Sequence, residues 1–334
     1  MLNPIRLTLV RGPPHEPNKN AAWLRGQPNN MTEKIDIADA RTRIDSYCSR
    51  RGALAVGVAN VETLERMSPP GHGPSALMPK VRSVISIGVG GGTAGAWSAS
   101  AKTLAYVGDT ETLAYKVAFG LAFFIESNFG YRTVFCPPDI DPEQGARVPL
   151  QSMKLHAEVA GIGARSMAGD ILLHPEFGML YYSSVFTEMP LVSDQPMAEN
   201  PCPHPSCVAL YRKQGHTPCQ RYCPVGCLSG TIDADGNTAE SCFEADKCAE
   251  MSQQYEAIPG ILLETLKAND PLDQAMALYG PESQAIWYKL SIGAGELLAL
   301  CFECMRVCPV AQQAPLSNPL KRGIARRASA ETQS

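Results

Sequence analysis

Twelve cysteines are spread unevenly along this 334-residue chain: Cys48 and Cys136 stand alone, and the other ten lie between residues 202 and 308. Two runs among the ten end alike. One is Cys301-x2-Cys304-x3-Cys308-Pro309 and the other is Cys219-x3-Cys223-Pro224. Thiolates packed this closely are ligands for soft metals and clusters. A C-x2-C-x2-C-x3-C-P run is the binding pattern of bacterial ferredoxins, where the last cysteine of each run ligates the cluster of the other run. Three close cysteines wrap one cubane, and the proline stops the local helix and turns the fourth thiolate toward the neighbouring one. Two such endings in one chain imply two 4Fe–4S clusters near enough to exchange electrons. Zinc would favour paired C-x2-C knuckles and has no use for the C-x3-C-P ending. The C-x3-C-x2-C spacing of radical-SAM enzymes is also absent, because Cys219, Cys223 and Cys227 are spaced x3 and x3.

The spacing suggests which thiols go together. Cys202, Cys207 and Cys219 would hold the first cluster, with Cys308 crossing over. Cys301, Cys304 and Cys248 would hold the second, with Cys223 crossing over. The first run is irregular, with four residues between Cys202 and Cys207 and eleven between Cys207 and Cys219. His216 stands where a regular run has cysteine; it is either an imidazole ligand or, the simpler reading, a loop residue. Cys242 is an alternative to Cys248, and Cys227 is a spare. Cys48 and Cys136 read as small buried hydrophobes.

The elements that must position these groups follow from apolar periodicity. A helix ends near Gly52, and residues 53–60 and 81–92 are β-branched apolar runs expected as buried strands, joined by a loop. A helix capped by Asp109 or Thr110 carries Leu113, Val117 and Leu121 on one face and ends at Gly130. Residues 132–136 form a strand and 149–163 a helix running into a glycine turn. A strand pair then brackets the Pro175–Gly178 turn. Beyond residue 200 strands are not expected, only helical stretches near 246–268 and 283–304. The expected organisation is an extension over 1–30, disordered; an α/β (α+β) domain over 31–198; a cluster domain over 199–312; and a tail over 313–334.

Composition excludes several classes. The chain is 45% hydrophobic and 19% charged with a formal net charge of −4, enough apolar content for a large core and poor for a mainly electrostatic nucleic-acid binder. No apolar run reaches the ~18 residues of a membrane span. No export signal is recognisable at the N-terminus, so the expected location is cytoplasmic.

The segment "VPLQSMKLHAEVAGIGARSMAGDILLHPEFGMLYYSSVFTEMPLVSDQP" followed by the cysteine runs resembles the corrinoid-dependent reductases, which comprise the epoxyqueuosine reductases and reductive dehalogenases. Upstream, "GALAVGVANVETLE", "LMPKVRSVISIGV" and "FFIESNFGYRTVFCPP" resemble their N-terminal half, so the likeness spans roughly residues 35–312. The resemblance implies a nitroreductase-like domain that holds a cobalamin, with no protein histidine on the cobalt, followed by a ferredoxin-like domain with two 4Fe–4S clusters. It implies that electrons from a ferredoxin- or flavodoxin-type donor reach cobalt through the clusters, and that a small-molecule or tRNA substrate loses oxygen or halogen. A partner protein or a homodimer belongs to the same expectation.

Carried over residue by residue, the resemblance marks Gly161, Gly163, Arg165, Pro175 and Gly178 as corrinoid neighbours. It marks Tyr106, Tyr115 and Arg147 as catalytic candidates. The family's aspartate donor has no counterpart, since its position falls near Arg147 or Val148; Asp139, Asp141 or Glu143 would have to substitute. The dehalogenases' asparagine at that position is missing too, and "MLYY" replaces their arginine after the Pro175–Gly178 turn. These departures leave a second reading open, a corrinoid-free iron–sulfur electron-transfer protein or subunit that docks on a partner enzyme. A flavin in the α/β domain is a third.

Overall fold

A computed structural model of the chain describes residues 36–90, 106–136, 149–253, 257–281, 283–284 and 301–313. Its centre is the antiparallel pair β2 (Ser83–Gly90) and β6 (Gly178–Thr187), in register from Ser83 opposite Thr187 to Gly90 opposite Leu180. Both strands are buried along almost their whole length. That explains why neither strand alternates between apolar and polar residues: each face must be covered by a helix. One face carries α4 (Tyr106–Phe129), whose Val117, Ala118, Leu121 and Ile125 are buried. The other carries α5 (Met153–Val159), with Leu155, His156 and Val159 buried.

The sheet has six strands. β1 (Ala53–Ala59) pairs outside β2, β3 (Thr133–Phe135) pairs with the C-terminal end of β6, and β5 (Leu172–His174) with its N-terminal end; β4 (Ala164–Arg165) pairs with β5. All of these pairings are antiparallel. α1 (Ile37–Arg50) precedes β1, and α4 ends at Gly130 with φ +72°, the left-handed residue expected there.

The segment expected as a loop between β1 and β2 holds two short helices, α2 (Val61–Met67) and α3 (Pro74–Leu77). Asn60 caps α2 by accepting the Thr63 N–H at 2.8 Å, and Pro74 sits at the start of α3, where its missing N–H costs nothing.

After β6 the chain runs back along β1. The Asp194 N–H donates to the Val58 carbonyl at 2.8 Å, its carboxylate accepts the Val58 N–H at 2.8 Å, and Arg41 of α1 grips that carboxylate at 2.9 Å. Next come α6 (Pro205–Gln214) and α7 (Pro218–Tyr222). The expectation of no strands beyond residue 200 is corrected here: β7 (Leu228–Ile232) and β8 (Thr238–Phe243) form a hairpin. Its side chains are mostly exposed, so it carries no apolar signature. α8 (Ala245–Gln253), α9 (Ala257–Lys267) and α10 (Pro271–Tyr279) follow. Of the expected helix near 283–304, residues 285–300 lie outside the described set. Cys301 and Phe302 are non-helical, and α11 (Glu303–Arg306) and α12 (Pro309–Gln313) complete the described chain. No described helix is long and apolar enough to cross a membrane.

Candidate metal centres

α7 and α11 pack against each other, and each carries cysteines to two hollows. The first hollow is lined by Cys202, Cys207, Cys219 and Cys308, with about 380 Å³ of non-protein space, mouth included. The second is lined by Cys223, Cys227, Cys248, Cys301 and Cys304, with about 790 Å³. α7 delivers Cys219 to the first, and Cys223, at its C-cap, goes to the second. α11 delivers Cys304 to the second, and the turn after it gives Cys308 to the first. Ala168 lines both hollows, and Met305, fully buried, packs in the core they share.

Local chemistry explains how each thiol is held. α6 begins at Pro205, with His204 as its N-cap, and buries Cys207 in its first turn. Thr217 and Gln220 form a capping box around the start of α7, and the Gln220 amide also donates to the Gly230 carbonyl at 3.0 Å, tying α7 to β7. Cys202 accepts the Met167 N–H at 3.3 Å, so the strand-and-turn region after α5 forms one wall of the first hollow. Cys219 lies 3.1 Å from the Thr217 hydroxyl. Cys248 rides on α8.

Burial pushes the Cys202 thiol up to about 12 and the Cys308 thiol to about 11, and the charges of nearby thiols act in the same direction on both. Cys304 is held well above its ordinary value by the same two causes. Burial first, then contact with Cys223 and Cys248, raises Cys227. Four such thiols ionise together only around a compensating cationic core, which an iron–sulfur cubane supplies. Among the described residues no three Cys, His, Asp or Glu side chains converge as the ligands of a single ion would. A lone zinc ion draws its sulfurs to about 2.3 Å from one point. A cubane keeps its thiolates on separate iron corners around a hollow, and the thiol donor sets of the two hollows, four cysteines in one and five in the other, are of the type such a cluster takes.

The remaining thiols and His216 stand elsewhere. Cys242 is exposed on β8 and lines neither hollow. Cys48 and Cys136 are fully buried in the α/β part. His216 does not line the first hollow, and its buried Nδ1 has no hydrogen-bond partner among the described residues.

The residues marked for a corrinoid behave differently. Gly161 has φ +70°, and a Cβ there would strike the Gln195 carbonyl. At Gly163 it would strike the Tyr182 hydroxyl. Gly178, φ +71°, lies under the Val310 and Ala311 carbonyls, 3.1 Å from where a Cβ would be, so the Pro175–Gly178 turn seats α12. Pro175 is exposed, and the turn is closed by His174 Nδ1, which accepts the Glu176 N–H at 3.1 Å. Arg165 is committed to Glu158 and Asp170, 2.9 Å from each. At Gly161, Gly163 and Gly178 the chain's own atoms make the close approach, and Arg165 is held by two carboxylates.

Tyr106 lies in α4. Arg147, with Asp139, Asp141 and Glu143, lies outside the described residues. The Tyr115 hydroxyl donates to Glu111 at 2.7 Å, and burial, then that carboxylate, raises its pKa.

Sequence reasoning passed over Tyr181 and Ser183. Alternate residues of a strand share a face, so both point from β6 to the α4 side. Their buried hydroxyls have no hydrogen-bond partner among the described residues. Tyr181 sits near Glu111 and Tyr115, whose charges reinforce the rise in its pKa from burial. Its ring meets that of Phe302, beside Cys301, edge-on at 6.5 Å. Unsatisfied buried hydroxyls on one face of a strand are the polar groups a bound cofactor or substrate would satisfy. The sequence signal was the run Tyr181–Ser184 of hydroxyl-bearing residues inside a buried strand.

No protein-family model matches the chain, and no curated protein matches it. Solved structures do. A selenomethionine-labelled epoxyqueuosine reductase is similar with TM-score 0.50 at 16% identity, the match covering 83% of this chain and 67% of that one. The epoxyqueuosine reductase from Bacillus subtilis is similar with TM-score 0.49 at 15% identity, covering 83% of this chain and 66% of that one. A catabolic reductive dehalogenase in complex with 3-bromo-4-hydroxybenzoic acid has TM-score 0.48 at 17% identity, with coverage of 79% and 38%. These are the two groups that the sequence resembles. At these identities the likeness is one of fold, a mixed α/β architecture.

Proposed function

We propose that the chain is a reductase in which Cys202, Cys207, Cys219 and Cys308 hold one 4Fe–4S cluster and Cys223, Cys248, Cys301 and Cys304 a second. The carrying observation is the sorting of cysteines from distant stretches into two adjoining hollows, with each C-x3-C-P ending split between them. When bound, the clusters supply one-electron transfer and a corrinoid supplies reductive removal of oxygen or halogen. Phe302, Met305 and Ala168, all buried, make an apolar region that excludes water from the space around the thiols. Tyr181 and Ser183 would bind the acceptor on the α4 face of β6. The Tyr181 phenol, whose pKa burial raises, would serve as a neutral hydrogen-bond donor toward the bound group. Electrons would come from a ferredoxin- or flavodoxin-type protein.

A second reading is favoured by one set of contacts: Gly161 and Gly163 are filled by the chain's own atoms and Arg165 is committed to two carboxylates. On that reading the protein passes electrons to a partner and carries no corrinoid. The experiment that separates them uses protein purified without oxygen, incubated with cobalamin, desalted and reduced. The first substrates to screen are a halogenated hydroxybenzoate and a tRNA stem loop, after the ligands with which two of the similar structures were solved. Retained cobalt with substrate-dependent reoxidation of the clusters is the expected result. Clusters that reduce normally with no cobalt retained would remove the corrinoid and leave the electron carrier.

A further inference from the structure

The second hollow presents five thiols, and a cubane takes four. The extra one is Cys227, 3% exposed and fixed by its neighbours: the Glu244 N–H donates to its carbonyl at 2.9 Å, and Leu228 beside it begins β7. Its Sγ lies 3.3 Å from that of Cys223, and its N–H donates to the same sulfur at 3.4 Å. Thiolates on different irons of a cubane stand well apart, because each sits outside a different corner. Two sulfurs in van der Waals contact address the same corner. Cys223 and Cys227 are therefore competitors for one iron rather than ligands to two.

Resting on the reading that this hollow holds a cubane, we infer that Cys227 is a stand-by ligand of the second cluster and takes the corner of Cys223 when Cys223 leaves it. The exchange balances without any outside reagent. The Cys223–iron bond breaks, the departing Cys223 thiolate takes the proton of the Cys227 thiol, and the Cys227 sulfur forms the new bond to the same iron. No electron moves and the charge on the site is unchanged. The short turn from Cys223 to Gly226, closed by the Gly226 N–H on the Cys223 carbonyl at 3.2 Å, keeps both sulfurs within reach of that corner.

The test measures iron and sulfide per chain, with the reduced-state electron paramagnetic resonance spectrum, in anaerobically reconstituted wild type, Cys223→Ala, Cys301→Ala and Cys223→Ala/Cys227→Ala. Wild type at about eight irons is the precondition, as two cubanes require. A wild type without iron defeats the reading of the site rather than the inference. With that met, Cys223→Ala should keep about eight irons, while the double variant and Cys301→Ala should each fall to about four. A fall to about four in Cys223→Ala alone would overturn the inference. A second measurement does not depend on how that variant folds: Cys227→Ala should release the iron of one cluster to a chelator several-fold faster than wild type. Equal rates would overturn it as well.

Discussion

A methyl group on Gly161 has nowhere to go. The residue is left-handed, and the returning chain lays the Gln195 carbonyl where a Cβ would be. Gly161→Ala should therefore destabilise the protein even with no cofactor added, by at least about 1–2 kcal/mol from the backbone conformation alone. Denaturant titration of cofactor-free protein checks this, and unchanged stability would hand the glycine back to a ligand. His156 makes a second single-residue prediction. It is fully buried, its Nδ1 is 3.0 Å from the Ser184 hydroxyl, and burial lowers its pKa from 6.5 to about 3. The unfolded chain takes this proton near pH 6.5, whereas the folded one takes it only near pH 3. Stability from this group is thus complete above pH 6.5 and is lost as pH falls toward 3, at up to about 1.4 kcal/mol per pH unit. Between pH 6.5 and 5 the loss should approach about 2 kcal/mol. Urea midpoints at pH 7 and pH 5 should fall together less in His156→Asn, which keeps a partner for Ser184. Equal falls in variant and wild type would contradict it.

At the scale of elements, α7 and α11 matter because each serves both hollows. Losing a ligand that has no neighbouring thiol to replace it should cost one site, but shifting the phase of α7 should cost both. One alanine inserted after Gln220 turns the following residues by about 100°, one residue's worth of helix. It draws Cys219 and Cys223 out of their shared arrangement. Reconstituted iron should drop from about eight toward zero in the insertion variant and to about four in Cys219→Ala. Equal losses in the two would contradict a shared scaffold. The same scale shows what a reader of the residues alone can see. β1, β2, β6 and α4 were legible because burial on both faces, or along one helical stripe, leaves an apolar period. The β7–β8 hairpin was not, because most of its side chains face water. α2 is short, and its signal was a single capping asparagine. The cysteine spacing told which thiols could act together, but it ranked Cys227 as a spare with no place. Only the fold brings its sulfur against Cys223. Likewise, nothing in the spacing of Gly161 and Gly163 distinguishes a cofactor approach from the approach of Gln195 or Tyr182.

Across the whole molecule, the sheet and the cysteine-bearing helices share one apolar core. Leu173 and Met179 of the strands pack with Cys227, Phe302, Met305 and Ala311. Gly178, under the Val310 and Ala311 carbonyls, fastens the sheet to α12. Through that continuity the Tyr181 ring packs against Phe302, next to Cys301. The central claim is that the two hollows are iron–sulfur sites, and the most direct measurement is iron, acid-labile sulfide and zinc per chain in protein purified and reconstituted without oxygen. About eight irons and about eight sulfides with no zinc is the predicted result for two cubanes. Zinc in place of iron, or iron that stops at about four per chain, would contradict it.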